Sequence, residues 1–245
     1  MTMQTTQGSM GVSPGPLFGT KEDLYNKLVS SPYAYVHVKE CCFNLCPCYQ
    51  IKCDVYASNQ KIEGNDFNDL IFRVDREICC TYCQRCAKIR VYPPNSDNQL
   101  LFYTYPNCCL CVKTCCNCSC YSYGDPLLGY FGDDMNNTFG NFRRKFCGCI
   151  RFLEICNPDR YEFYGRTGET RFELVLDCLT YCNPAKSCYP IVYNIIKDSN
   201  AIGKVTFRPL CCCKPIIAEI EFPPNFNLDD RLLLVGFCCS ANRSY

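Results

Sequence analysis

Asn227-Leu228-Asp229-Asp230-Arg231-Leu232-Leu233-Leu234-Val235-Gly236-Phe237-Cys238-Cys239 is the stretch on which the fold turns. Asn227 is a good helix-capping residue, and Asp229 and Asp230 fall in the first turn, where carboxylates complement the helix dipole. From Leu232 to Cys239 the segment is apolar on every face, and a helix without a polar side has to be surrounded by protein or by lipid. Counted from Leu228 it offers about twelve residues against the roughly 20 that a bilayer requires, so burial inside protein is the better physical choice. The remainder of the chain has to supply those surroundings.

What precedes this helix reads as β-structure. Tyr33–Val38, Tyr49–Tyr56 and Leu70–Val74 are β-branched and aromatic, with several apolar-polar alternations. Further on, Arg151–Ile155, Arg160–Tyr164, Phe172–Leu176, Ile191–Ile196 and Lys204–Phe207 continue the style. Polar turn clusters such as 57–60 and 93–98 separate these runs, and no long helical period intervenes. Short strands at even spacing indicate an antiparallel sandwich or a closed barrel. Ahead of them, Leu24, Tyr25 and Leu28 share one face of a short helix over Lys21–Val29, capped by Thr20. Residues 1–20 read as a flexible polar tail.

The cysteines carry a second signal. Cys46-Pro47-Cys48 returns as Cys147-Gly148-Cys149, Cys79-Cys80-Thr81-Tyr82-Cys83 returns as Cys178-Leu179-Thr180-Tyr181-Cys182, and Cys108-Cys109 returns within Cys211-Cys212-Cys213, each about a hundred residues later. We read this as two half-repeats, about 33–125 and 139–215, closing one barrel domain over 21–245 around a helix at about 228–239. The repeated runs fall at strand ends and turns and belong at the barrel rims. Cysteines Cys111 through Cys120 have no comparable counterpart near Cys213, and this surplus is where acylation or metal binding would be sought.

Composition limits the alternatives. A net charge of +1 gives no electrostatic reason to expect nucleic acid or a polybasic membrane patch. The N-terminus carries no secretory or transit signature, so thiols are expected to be reduced despite 27 cysteines, an odd number with many adjacent pairs. His37 is the only histidine, which excludes a histidine-based triad, and no phosphate loop or nucleophile motif occurs. Bond-making catalysis is not expected.

A two-half barrel ending in an apolar helix, with paired cysteines after short strands, resembles the phospholipid scramblase family over about Tyr33 to Cys239. The landmarks run in the same order: Asp75-Arg76-Glu77-Ile78-Cys79-Cys80, then Tyr105-Pro106-Asn107-Cys108-Cys109-Leu110-Cys111 through Cys120, then Gly129-Tyr130, Phe146-Cys147-Gly148-Cys149 and Phe222-Pro223. The resemblance implies a tubby-like, all-β fold: a closed antiparallel barrel of about twelve strands around a buried C-terminal hydrophobic helix. A barrel of that size has room for a helix where smaller ones hold only side chains.

It also implies sites. Cys108, Cys109, Cys111, Cys115, Cys116, Cys118 and Cys120 match the stretch that carries palmitoylation in the family, and several acyl chains suffice for stable anchoring where one is marginal. Calcium activation is ascribed to an acidic segment before the last helix. Here the matching stretch has lost most of its aspartates, leaving Glu219, Glu221, Asp229 and Asp230 as weak candidates, the last two equally explained as helix-start acids. Spacing alone, apart from the resemblance, offers a competing metal site: Cys83 and Cys86 have a two-residue spacer, another cysteine pair could complete four thiolates around zinc or an iron–sulfur cluster, and Cys80 is a further weak candidate.

The expected function is therefore phospholipid translocation or binding at the cytosolic face of a membrane, with acyl chains as the anchor. The alternative is a structural or adaptor component of an intracellular assembly, in which a protein partner holds the N-terminal tail. The chain lacks the family's longer apolar extension after Cys239, which makes transport by this chain alone hard to rationalise.

Overall fold

The computed structural model describes residues 20–39, 50–78, 87–104, 126–132, 134–144, 160–177, 190–208 and 216–240. The 1–19 part of the expected tail, the strand expected at Arg151–Ile155 and the repeated cysteine runs lie outside them.

The chain begins with α1 (Lys21–Ser30). The Thr20 hydroxyl accepts from the Asp23 amide at 3.4 Å, and the Asp23 carboxylate accepts from the Thr20 amide at 2.6 Å, a reciprocal cap of the first turn. Leu24, Tyr25 and Leu28 form its buried face, as their spacing requires.

Twelve strands follow: β1 (Tyr33–Lys39), β2 (Gln50–Ser58), β3 (Leu70–Ile78), β4 (Ala87–Tyr92), β5 (Leu101–Thr104), β6 (Leu127–Phe131), β7 (Thr138–Arg144), β8 (Arg160–Tyr164), β9 (Thr170–Leu176), β10 (Ile191–Lys197), β11 (Asn200–Phe207) and β12 (Ile216–Glu221). Each pairs antiparallel with its sequence neighbours, and β1 pairs with β12 to close the barrel. The all-β closed barrel expected from the sequence is therefore what the chain forms. Strands β4 to β7 and β12 go beyond those read from the pattern. At the closure, Ala34, Val36 and Val38 lie opposite Ile220, Ala218 and Ile216, so both strands turn small or branched apolar residues to the same buried side.

The last element is α2 (Leu228–Ser240), capped by Asn227, whose Oδ1 accepts from the Asp230 amide at 3.0 Å. Every residue from Asp230 to Cys239 is buried. Phe237 sits among Phe142, Tyr161, Phe163, Tyr193 and Phe207, with ring centroids 4.8 to 6.3 Å away. On another side the Tyr103 hydroxyl donates to the Leu232 carbonyl at 2.7 Å, and its ring lies flush against Gly236. A Cβ on Gly236 would come within 2.3 Å of that ring, so glycine is required for this approach.

Arg231 ties the two helices together. Its Nη1 donates to the carbonyls of Leu28 at 2.9 Å and Ser31 at 2.5 Å, its Nε donates to Phe226 at 3.1 Å, and its guanidinium lies 4.5 Å from the Phe222 ring centre. The carbonyls left over at the end of α1 thus receive their donors from a side chain of α2. Burial pulls the Arg231 pKa below its ordinary value.

Three substitutions test this packing. Gly236→Ala is expected to lower stability by about 1–3 kcal/mol, because the Tyr103 ring has to move. Tyr25, by contrast, has a buried hydroxyl without a hydrogen-bond partner among the described residues. Tyr25→Phe is expected to leave stability unchanged or raise it, whereas Tyr103→Phe, which removes a made bond, lowers it by about 1 kcal/mol. Thermal or urea denaturation reads all three, and a destabilised Tyr25→Phe would contradict this account.

Candidate functional site

In an antiparallel meander, successive connections alternate between the two mouths of the barrel. The segments joining β1–β2, β3–β4, β5–β6, β7–β8, β9–β10 and β11–β12 therefore start and finish at one mouth, where α2 also ends. Those six segments carry every cysteine of the chain except Cys53, Cys238 and Cys239. The opposite mouth is joined by 59–69, 93–100, 132–137, 165–169, 198–199 and 222–227, which hold no cysteine. The sequence reading assigned the repeated cysteine runs to rims; the segments that carry 24 of the 27 cysteines all start and finish at a single one.

The repeat falls on the same frame. Cys46–Cys48 and Cys147–Cys149 occupy the β1–β2 and β7–β8 connections, Cys79–Cys83 and Cys178–Cys182 the β3–β4 and β9–β10 connections, and Cys108–Cys109 and Cys211–Cys213 the β5–β6 and β11–β12 connections. Six strands separate each landmark from its copy. Cys108, Cys109, Cys111, Cys115, Cys116, Cys118 and Cys120 all belong to the β5–β6 connection, and Cys80, Cys83 and Cys86 to β3–β4. Both sets lie outside the described residues.

The acidic candidates are described, and each already has a cation. Glu219 on β12 is 3.2 Å from Lys61 and 3.4 Å from Arg208, while Glu221 is 3.3 Å from Lys204. At the start of α2, Asp229 pairs with Arg166 at 3.2 Å and Asp230 with Arg171 at 3.0 Å. Among the described residues no group of three or more histidine, cysteine or acidic side chains is arranged to hold a metal ion. Glu219 and Glu221 alternate with inward-facing Ala218 and Ile220, so they are the outer half of a strand. The salt links explain why two acids survive there: they hold the 59–69 loop and β11 against β12.

Arg208, which sequence reasoning did not single out, does most of that holding. Its Nη1 donates to the Gly64 carbonyl at 2.5 Å and the Glu63 carbonyl at 3.2 Å, and Nη2 donates to Ile62. Arg76 was missed as a buried group although the alternation Phe72, Val74, Arg76 puts it in the inward phase. It is only 2% exposed, and its Nη1 donates to the Cys239 carbonyl at 3.4 Å, placing a cation at the negative end of α2.

Outside the wall, a groove of about 440 Å³ crosses β1 to β4, lined by Lys39, Lys52, Asp54, Arg73, Asp75 and Asp97 among others. Lys39 pairs with Asp54 and Arg73 with Asp97, so the groove presents balanced charge. His37 stands across from Asp54 in the β1–β2 ladder, beside the Phe67 ring. Burial holds its pKa below the ordinary 6.5, against the pull of Asp54. No family model matches the chain, and no curated protein or solved structure matches it either.

His37 is the chain's only histidine and its neutral form is favoured by folding, so its contribution to stability is complete above pH 6.5 and is lost as the pH falls below that value. Stability is expected to decline as the pH falls from about 6.5 toward the lowered folded-state value of His37. His37→Gln should flatten that decline in urea titrations, and an unchanged slope would assign it to other groups.

Proposed function

We propose that this barrel is a peripheral, phospholipid-binding protein of scramblase-like type, held at a membrane by acyl chains on Cys108, Cys109, Cys111, Cys115, Cys116, Cys118 and Cys120. The observation that carries this reading is the gathering of the cysteine-bearing connections at one mouth. Opposite mouths are separated by the length of the strands, roughly 25 Å. Acyl chains that leave from one mouth enter one leaflet together, and two or more chains convert marginal binding into stable anchoring. Cysteines shared between both mouths would not allow that.

Binding is better supported than translocation. The apolar helix is spent inside the wall, where it forms the core, and no helix among the described residues is long and apolar enough to cross a membrane. The calcium requirement of the family is not part of this reading, because the four remaining acids serve ion pairs within the barrel.

Cell fractionation tests the anchor. The protein is expected in the membrane fraction, with release by neutral hydroxylamine, which cleaves thioesters. Serine at the seven positions should shift it to the soluble fraction more than tenfold. An intact mass free of acyl additions, or membrane retention by the serine variant, would overturn the anchoring. Sedimentation of the soluble variant with phosphatidylserine vesicles, but not with phosphatidylcholine vesicles, is expected if the barrel itself recognises anionic headgroups.

A further inference from the structure

The outer face of β1 to β4 is a ladder of charges, and pairing them off leaves two over. Lys39, Lys52 and Arg73 line the groove of about 440 Å³ together with Asp54, Asp75 and Asp97. Lys39 is held by Asp54, Arg73 by Asp97 at 3.0 Å, and on the next strand Arg90 by Glu77 at 2.6 Å. Among the described residues, the side chains of Lys52 and Asp75 have neither an ion pair nor a hydrogen bond, although the two stand directly opposite each other between β2 and β3. Cross-strand neighbours of this kind have their Cβ atoms about 5 Å apart.

The register accounts for the remainder. On its other side Lys52 faces Lys39 of β1, and like charges directly opposite one another are destabilising. Lys39 turns to Asp54, so Lys52 keeps a cation for a neighbour and no anion of its own. Asp75 stands between Lys52 and Arg90, and Arg90 turns to Glu77. One uncommitted cation therefore lies beside one uncommitted anion, the first exposed and the second half-buried.

We propose that this groove binds a small zwitterion, with Lys52 receiving its oxyanion and Asp75 its primary ammonium. Charge selects the class: a bare anion entering the groove meets Asp54 and Asp75, and a bare cation meets Lys39, Lys52 and Arg73, whereas a ligand of both signs meets neither penalty. The volume suits a small molecule. An ammonium with N–H groups donates to the Asp75 carboxylate, and a quaternary ammonium has none to donate.

Two sources share this chemistry, a free amino acid and the aminophosphate headgroup of a lipid. Lys52 is the third residue of β2 and Asp75 the fourth from the end of β3, so both stand within roughly 10 Å of the cysteine-bearing mouth. For the headgroup the proposal rests on the phospholipid-binding reading; for the free amino acid it does not.

The test is a titration of the full, isotope-labelled chain, read as amide shifts on β2 and β3. The probes are phosphoethanolamine, glycine, phosphocholine, ethanolamine and inorganic phosphate. Phosphoethanolamine or glycine is expected to bind saturably and at least about tenfold more tightly than the other three, since each of those lacks one charge or the N–H donors. Lys52→Gln and Asp75→Asn should each weaken that binding about tenfold, while Asp97→Asn, at the rim, should change it less than twofold. Near-ultraviolet circular dichroism checks that the variants fold. Tighter binding of glycine assigns the groove to free amino acids. Tighter binding of phosphoethanolamine, with flotation of the full chain on phosphatidylethanolamine but not phosphatidylcholine vesicles that Asp75→Asn abolishes, assigns it to the headgroup. Absence of saturable shifts, equal binding of inorganic phosphate or phosphocholine, or affinities unchanged in both Lys52→Gln and Asp75→Asn overturns the proposal. A chain found without acyl additions would leave these titrations as they are, so the anchor and the groove fail separately.

Discussion

A helix with no wet side compels the wall around it to close, and the rest of the architecture follows from that. Leu232, Leu233, Leu234, Val235 and Phe237 point in successive directions around α2, so an open sheet would leave some of them in water. Twelve strands give a circumference that admits a helix together with the side chains that fill the gap. The register at closure is equally constrained. Sliding β12 by one residue against β1 would turn Glu219 and Glu221 toward the helix and Ala218 and Ile220 toward solvent.

Charges at the two ends of α2 set its position along the barrel axis. At its start Asp230 is held by Arg171, and Arg231 by carbonyls of α1 and of the preceding turn. At its end Arg76 reaches back to Cys239. A helix retained by hydrophobic contact alone could slide or rotate at little cost, since its faces are chemically alike. Hydrogen bonds to fixed main-chain carbonyls remove that freedom, because a buried guanidinium displaced from its acceptors loses partners it cannot replace with water.

Much of this wall was legible in the sequence because its strands are short, aromatic and β-branched, as in Tyr33–Val38 and Ile191–Ile196. The helix was legible because nothing polar interrupts Leu232–Cys239. Strands β6 and β7 were harder to see: Gly129 and Gly140 weaken the propensity, and a bulge at Gly129/Tyr130 breaks the alternation. β12 was hidden by chemistry, since Glu219 and Glu221 look like ligands until the partner strands are known. The pairing of cysteine connections with one mouth was in principle available as well. It needed only the parity of the connections, which becomes usable once the strand count is complete. Arg208 and Arg231 left almost no local signal, because their acceptors are carbonyls far away in the chain.

The order of elements has a consequence for biosynthesis. α2 follows all twelve strands in sequence, so a chain emerging from the ribosome makes its wall before its core. Until Leu228–Ser240 is available, the inward faces of the nascent strands have no helix to pack on, and β1 waits for β12. Such a chain folds late and all at once, with its apolar strands exposed to other chains in the interval. A truncation upstream of α2 would remove not a terminal decoration but the object around which every strand is arranged.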